Sequence, residues 1–451
     1  MNCRNMIWTS CRPIQRKNQP GNIFRAFIAV AQQKLLNEKI SDTGIIVCEG
    51  YYSEIIEKVY RKYDNLTITV SMKQNGSMDK MVVGSVAESL LLKPETSDWL
   101  RLKEIFENPA LQMATFTITE KGYQIKNASG YLPQIKEDMQ VGPEQAKSYM
   151  GCLTALCYLR YLAGKLPLAL VSMDNFSHNG DRLKMAVLTI AEVWEKNNLV
   201  EEGFSGYLQD ETKISFPWSM IDKITPRPDS KIKEMLERTG LEGMDIFTTS
   251  ANTYIAPFVN AEETEYLVIE NNFPNGRPKL EHAGILFADR RTVECVEQMK
   301  VCTCLNPLHT GLAIFGCLLS YTSISKEMED PLLRELAVQI GQEGMPVVVH
   351  PGILEPKQFL HEVLYVRLPN PYIPDTPQRI ATDTSQKLSI RYGETIKAYQ
   401  KTGKSLEQLR AIPLVIAGWI RYLTGVDDFG NAMELSPDPR MTELREKISD
   451  I

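Results

Sequence analysis

Three short apolar runs, each closed by a polar residue, set the strongest limit on how this chain folds. They are Thr43-Gly-Ile-Ile-Val-Cys-Glu49, Met113-Ala-Thr-Phe-Thr-Ile-Thr119 and Leu166-Pro-Leu-Ala-Leu-Val-Ser172. Each reads as a strand buried on both sides. Between them the spacing predicts helices over 98–107 and from Pro143 to about Ala163, with another from Asp181. Further strand-like text lies at Leu66-Thr-Ile-Thr-Val70 and around 80–86. Strand, helix and strand in this rhythm imply a parallel sheet covered by helices. Ligands of such sheets sit beyond the carboxyl ends of the strands. Glu49, Thr119, Glu120, Asp174 and Asn175 stand at those ends.

The opening of the chain breaks the rhythm. Cys11-Arg-Pro-Ile-Gln-Arg-Lys-Asn-Gln-Pro20 is polar and basic, and Gly21 then starts an amphipathic helix to about Lys39. A helix that begins at a glycine in an α/β protein follows a buried strand, yet no strand-like run precedes this one. Beyond Phe216-Pro-Trp-Ser-Met-Ile-Asp222 the character changes. After Tyr266-Leu-Val-Ile-Glu270, helical spacing dominates from Thr292 to Ala337 and from Ser385 to Tyr422. A length of 451 residues leaves room for two cores. The expected fold class is α/β: a Rossmann-like parallel-sheet domain over 1–213, its first strand atypical, followed by a mainly α-helical domain over 214–451.

Charge and cysteine usage narrow the function classes. The 50 Lys+Arg against 56 Asp+Glu leave a formal charge of -6, which argues against nucleic-acid binding through a basic surface. The 9 cysteines (Cys3, Cys11, Cys48, Cys152, Cys157, Cys295, Cys302, Cys304 and Cys317) are scattered, mostly in apolar runs, as free thiols are in a reducing compartment. No apolar run approaches a membrane span and no secretory leader is visible, so a cytoplasmic protein with no membrane partner is expected. Cys302, Cys304 and His309 lie close together, but Cys-x-Cys side chains point alternately. His178, His282, His350 and His361 show no ligand spacing, so no metal is expected. A Gly-x-Ser-x-Gly elbow is also absent from the sequence.

One stretch carries chemistry-bearing residues at close quarters: Met299-Lys300-Val301-Cys302-Thr303-Cys304-Leu305-Asn306-Pro307-Leu308-His309, running into an apolar helix. Asn306 reads as its N-cap and Pro307 as its first residue. An amine, an amide and an imidazole thereby meet a helix N-terminus, which favours a developing alkoxide. A capped helix, a surface lysine and a hydrogen-bonded histidine account for the same letters, and the stretch alone leaves both readings open.

In their order along the chain, several motifs together resemble the mannitol dehydrogenase family, long-chain polyol and hexuronate dehydrogenases that use no metal. They are Gly21-Asn-Ile-Phe-Arg-Ala-Phe27, Thr117-Ile-Thr-Glu-Lys-Gly-Tyr123, Asp174-Asn175 with Asn179-Gly180, Met220-Ile-Asp222-Lys-Ile-Thr-Pro226, the Lys300–Asn306–His309 stretch and Arg379-Ile-Ala-Thr-Asp-Thr-Ser-Gln-Lys387. The resemblance implies an NAD-dependent oxidoreductase acting on a small sugar acid or polyol. Interconversion of D-mannonate and D-fructuronate comes first; mannitol 2-oxidation or tagaturonate reduction is the alternative, as is a catalytically silent relative. It implies a monomer or small homo-oligomer.

The resemblance also assigns residues. Lys300 would be the general acid/base, and Asn306 and His309 would hold the reacting oxygen and its neighbour. Asn175 or Asn179 would support the lysine or the reacting hydroxyl, with Asp222 close by, and Arg379 and Lys387 would bind the substrate chain. Gly21, Asn22, Phe24, Arg25, Thr119 and Glu120 would face the cofactor. Glu49, at a strand end, would bond the ribose hydroxyls and repel a 2′-phosphate. For its role, the lysine must lose its proton near neutrality, through desolvation or a nearby positive dipole. Two departures stand out. The family spaces its lysine five residues before the asparagine, and here the gap is six. The family also precedes its first helix with a strand and a Gly-x-Gly turn, of which only Gly21 survives, so weakened dinucleotide binding is expected. The change at Gly21 is what a shifted reading frame would produce.

Overall fold

The structure is a computed structural model that describes residues 6–10, 22–250 and 252–448. Gly21, expected to face the cofactor, lies outside the described residues. The chain divides into two compact units, Met1–Met72 with Met78–Val293, and Lys73–Ser77 with Glu294–Ile451.

In the first unit, six strands form one parallel sheet: β1 (Met6–Ser10), β2 (Ile45–Glu49), β3 (Val86–Leu91), β4 (Met113–Thr117), β5 (Leu168–Ser172) and β6 (Ile214–Ser215). Their spatial order is β3-β2-β1-β4-β5-β6, the doubly wound order of dinucleotide-binding folds. The expectation of a missing first strand is corrected here. Residues 6–10 lie at the centre of the sheet, with Ile7 opposite Ile46 on one side and Ala114 on the other. Met-Ile-Trp-Thr-Ser is short but rich in strand-forming types, and the polar text after it masked the signal. The chain leaves β1 first towards β2 and later towards β4, so the topological switch point falls at this strand.

Alternation along β2 shows why the sheet needs cover on both faces. Ile46 and Cys48 join a core with Phe116, Leu170 and the helices α2 (Tyr149–Leu162) and α3 (Asn179–Lys196). Ile45 and Val47 join another with Val171 and a helix that opens on a π-helical turn, Phe24–Ile28, and continues as α1 (Ala29–Asn37). That second core also takes in Ile221, Leu267 and Ile269. These residues belong to a small sheet of Ser219–Asp222, Tyr266–Glu270 and Leu286–Ala288. The compact units therefore divide at Val293, not at the expected junction near 213, because apolar residues beyond 213 complete the first unit's core. The change of character at Phe216 marks only the end of the parallel sheet.

In the second unit, α4 (Arg290–Met299) enters a π-helical turn, Lys300–Cys304, and after Leu305 continues as α5 (Asn306–Leu318). Only the part of α4 beyond Val293 belongs to this unit. Helix α5 packs against α6 (Pro331–Gly344) and α7 (Ala411–Leu423). A Cβ on Gly311 would stand 2.5 Å from Ile340 and 3.2 Å from Val415, so the glycine permits this close crossing. The run Arg290–Leu318 is long and apolar enough to cross a membrane by length and composition, contrary to the sequence expectation. Its apolar window is 72% buried within the protein, which is why it is so apolar.

The exits of β4 and β5 are tied together. Asp174 accepts hydrogen bonds from the Ile118 N–H (2.8 Å), the Thr119 N–H (2.9 Å) and the Tyr123 hydroxyl (2.7 Å). This grip holds Thr119 at φ 60, a left-handed conformation that costs a β-branched residue about 1–3 kcal/mol. Burial pushes the Asp174 carboxyl up to about 6 despite these donors. Between roughly pH 4 and pH 6 the folded protein therefore binds this proton more tightly than the unfolded chain, and the group's contribution to stability declines as pH rises. Urea unfolding should show the stability of wild type relative to Asp174→Asn falling between pH 4 and pH 7 by up to about 3 kcal/mol. A difference that stays flat with pH would contradict this account.

Candidate active site

Lys300 is 2% exposed, at the start of the turn that joins α4 to α5. The Leu305 N–H donates to the Lys300 carbonyl at 3.1 Å, closing a turn one residue wider than an α-helical one. Asn306 does not cap α5, as the sequence reading expected. It makes no capping bond; Leu305 stands at the cap position, and the His309 N–H already donates to the Leu305 carbonyl at 3.1 Å. The segment is a widened passage between two helices, so its first N–H groups are partly used within the run.

His309, one turn into α5, lies 3.9 Å from Asp375. Burial pushes its imidazole down to about 4; Asp375 opposes this, and Arg367, Arg391 and Arg379 reinforce it. Arg379 pairs with Asp375. Lys387 donates to the carbonyls of Ile380 (2.9 Å) and Thr382, and burial with nearby Arg391 and Arg379 brings its ammonium down to about 8. Arg391, one helical turn beyond Lys387, donates to the Asn306 carbonyl at 3.3 Å and to the Thr310 hydroxyl. The structure thus brings together Asn306, His309, Arg379 and Lys387 from the sequence reading. It adds Arg367, Asp375 and Arg391, which that reading missed. Asp375 and Arg391 each stand four residues from a residue already singled out, and that helical spacing was the available signal.

Within the first unit, Glu49 ends β2, 2% exposed, and its carboxylate accepts from the N–H groups of Tyr51 (2.8 Å) and Tyr52 (3.3 Å). Thr119 is exposed at the exit of β4, and Glu120 beside it lies 3.7 Å from Arg182. The hydroxyl of Thr117, at the end of the same strand, is buried without a hydrogen-bond partner. Asn175 is exposed on the loop after β5, and Asp222 is buried at the end of its strand.

Other residues expected at the cofactor or substrate face inward. Phe24 is fully buried in the core with Val47. Arg25, also fully buried, donates to the Ala256 carbonyl (2.7 Å) and to the Asn22 side chain (2.8 Å), while Asn22 reaches the Pro226 carbonyl at 3.5 Å. The Asn179 amide donates to the carbonyls of Asp174 and Ser219 and accepts from the Ser219 N–H at 3.0 Å. It braces the loop after β5 against the next sheet. Among the described residues no group of three His, Cys, Asp or Glu side chains is placed to hold a metal ion.

Comparison with known proteins places these features in a lineage. Residues 20–282 match the mannitol dehydrogenase Rossmann domain and residues 292–450 match the mannitol dehydrogenase C-terminal domain. The chain is 57% identical over 435 residues to D-mannonate oxidoreductase of Thermotoga maritima, spanning 96% of this chain and 80% of that protein. It is 30% identical over 436 residues to D-mannonate oxidoreductase of Escherichia coli, spanning 94% and 82%. Among solved structures, mannitol 2-dehydrogenase of Pseudomonas fluorescens in ternary complex with NAD and D-mannitol aligns with a TM-score of 0.72 at 25% identity, covering 100% of this chain and 85% of that one. D-sorbitol dehydrogenase in substrate-free form shares the fold, with a TM-score of 0.82 at 23% identity, covering 98% and 86%. Both units of the chain are accounted for in these matches, and it belongs to the mannitol dehydrogenase family of oxidoreductases.

Proposed function

We propose that this protein interconverts D-mannonate and D-fructuronate with NAD, by hydride transfer at a secondary alcohol, with Lys300 as acid/base and without a metal. The observation that carries this reading is the 57% identity to Thermotoga D-mannonate oxidoreductase over 96% of the chain. In the oxidising direction Lys300 Nζ takes the hydroxyl proton while the carbon–oxygen double bond forms; in the reducing direction it returns the proton to the new alkoxide. The nicotinamide supplies the hydride acceptor or donor. Asn306 donates to the reacting oxygen, and His309 hydrogen-bonds the oxygen or its neighbour.

Electrostatics support a sugar acid over a neutral polyol. Arg367, Arg379 and Arg391 act on His309 against the single carboxylate of Asp375, and Lys387 lies beside them. Guanidinium and ammonium groups recognise a carboxylate far better than another hydroxyl. At the sheet, the residues present suit a dinucleotide. Glu49 at the end of β2 would bond the ribose, Thr119 and Glu120 lie at the exit of β4, and the buried Thr117 hydroxyl there lacks a partner. The same carboxylate position favours NAD over NADP, whose 2′-phosphate it repels.

Following NADH absorbance with fructuronate, tagaturonate and fructose at matched concentrations tests the substrate. Fructuronate should give the highest kcat/KM, and turnover of fructose alone would reverse the assignment. In the same assay Lys300→Ala should lower kcat by at least about 100-fold while calorimetry finds NADH affinity within about threefold of wild type. Near-normal turnover would remove the lysine from the mechanism. Glu49→Ala should raise the KM for NADH by about tenfold and improve NADPH use relative to NADH. An unchanged ratio of the two cofactors would show that Glu49 does not select between them.

A further inference from the structure

Among its described residues the second unit has three π-helical turns, at Lys300–Cys304, Val363–Arg367 and Ser389–Gly393, and each carries a cation. Such turns interrupt helices at functional sites more often than elsewhere. The first carries the proposed acid/base. The last is stitched along the start of α5. Tyr392 donates its hydroxyl to the Pro307 carbonyl at 2.6 Å, and Thr395, just beyond the turn, donates to the Cys302 carbonyl at 3.2 Å. Between these points the Arg391 guanidinium reaches the Asn306 carbonyl (3.3 Å) and the Thr310 hydroxyl, which itself donates to that carbonyl at 3.0 Å. Asn306 and Thr310 bracket His309 on the same turn.

We propose that Arg391 is a positioning residue for the reaction: it pins the Asn306–Thr310 turn and presents His309 to the substrate as an uncharged imidazole. The inference rests on the reading that His309 meets the substrate oxygen. A neutral imidazole offers one donor and one acceptor, whereas an imidazolium offers two donors and a charge. The charged groups acting on His309 are Asp375, 3.9 Å away ahead of the Pro377–Ile380 helix, Arg379 on that helix, Arg367 at the end of its π-helical turn, and Arg391. Burial is the largest influence keeping the ring neutral; Asp375 opposes it, and Arg367, Arg391 and Arg379, the last paired with Asp375, add to it. Removing a neighbouring cation raises the affinity of an imidazole for its proton.

Histidine-selective NMR on the full chain reads this without substrate, with His309 assigned by the signal lost in His309→Asn. In wild type the His309 signal should remain that of the neutral ring down to pH 5. In Arg391→Met its midpoint should rise by about one pH unit, with Arg367→Met shifting it the same way, whereas Arg391→Lys should leave it within about 0.3 unit. In turnover, Arg391→Met should move the acid limb of the kcat profile to higher pH by a matching amount. Arg391→Lys should keep the limb in place but lower kcat about tenfold through loss of the paired contact. An unmoved His309 midpoint in Arg391→Met would overturn the proposal. If that variant does not fold, an unmoved midpoint in Arg367→Met, or a shift in Arg391→Lys equal to that in Arg367→Met, would do so. Should fructuronate prove not to be the substrate, the NMR titration still decides the role of Arg391.

Discussion

The hydrogen bond from the Leu305 N–H to the Lys300 carbonyl widens the passage through which α4 runs on towards α5. A turn closed from i to i+5 takes up one residue more than an α-helical turn. The Lys300–Cys304 turn lies inside the six-residue gap from Lys300 to Asn306, and the non-helical Leu305 separates it from α5. The Thr395 hydroxyl, donating to the Cys302 carbonyl inside that turn, helps to hold the widened geometry.

Much of the first unit was legible because two-sided burial writes itself plainly into a strand. Ile45 to Glu49, Met113 to Thr117 and Leu168 to Ser172 are buried throughout, and their apolar runs say so. The central strand was not legible because the short run Met6–Ser10 is followed by polar, basic sequence. Its place is set by pairing with β2 and β4, a long-range fact that local composition does not carry. The division between units was misplaced for a similar reason. Ile221, Leu267 and Ile269 look like the beginning of something new, yet they fill a core begun by Phe24 and Val47.

At the candidate site, types and spacings marked Lys300, Asn306 and His309, but they could not say which polar side chains turn inward. Arg25 and Asn179 have the chemistry of ligand-binding groups and are instead braces, each bonded to main-chain groups distant in sequence. Asp174 was visible as a strand-end carboxylate. That it grips two N–H groups and a tyrosine hydroxyl from the neighbouring exit depends on the parallel register of β4 and β5. Arg367 and Arg391 lie on widened helical turns, which leave little trace in a periodicity.

A common device recurs in both units: a buried cation is solvated by carbonyl dipoles. Arg160 donates to the carbonyls of Phe106, Asn108, Leu111 and Pro167, anchoring the approach to β4. Lys387 and Arg391 likewise rest on carbonyl and hydroxyl oxygens. Carbonyls lower the cost of burying a charge but do not neutralise its field. In the first unit that field serves only packing. Around His309 it has two consequences, both in keeping with the proposed chemistry: it disfavours a proton on the ring, and it favours an anion alongside. Glu327 meets the opposite difficulty. Its carboxyl is buried without a partner against Gly316, and burial pushes it up to about 9, so it stays protonated at neutral pH and does not offset the cations. Around His309, Arg367, Arg391 and Arg379 thus act against a proton on the ring, with Asp375 opposing them.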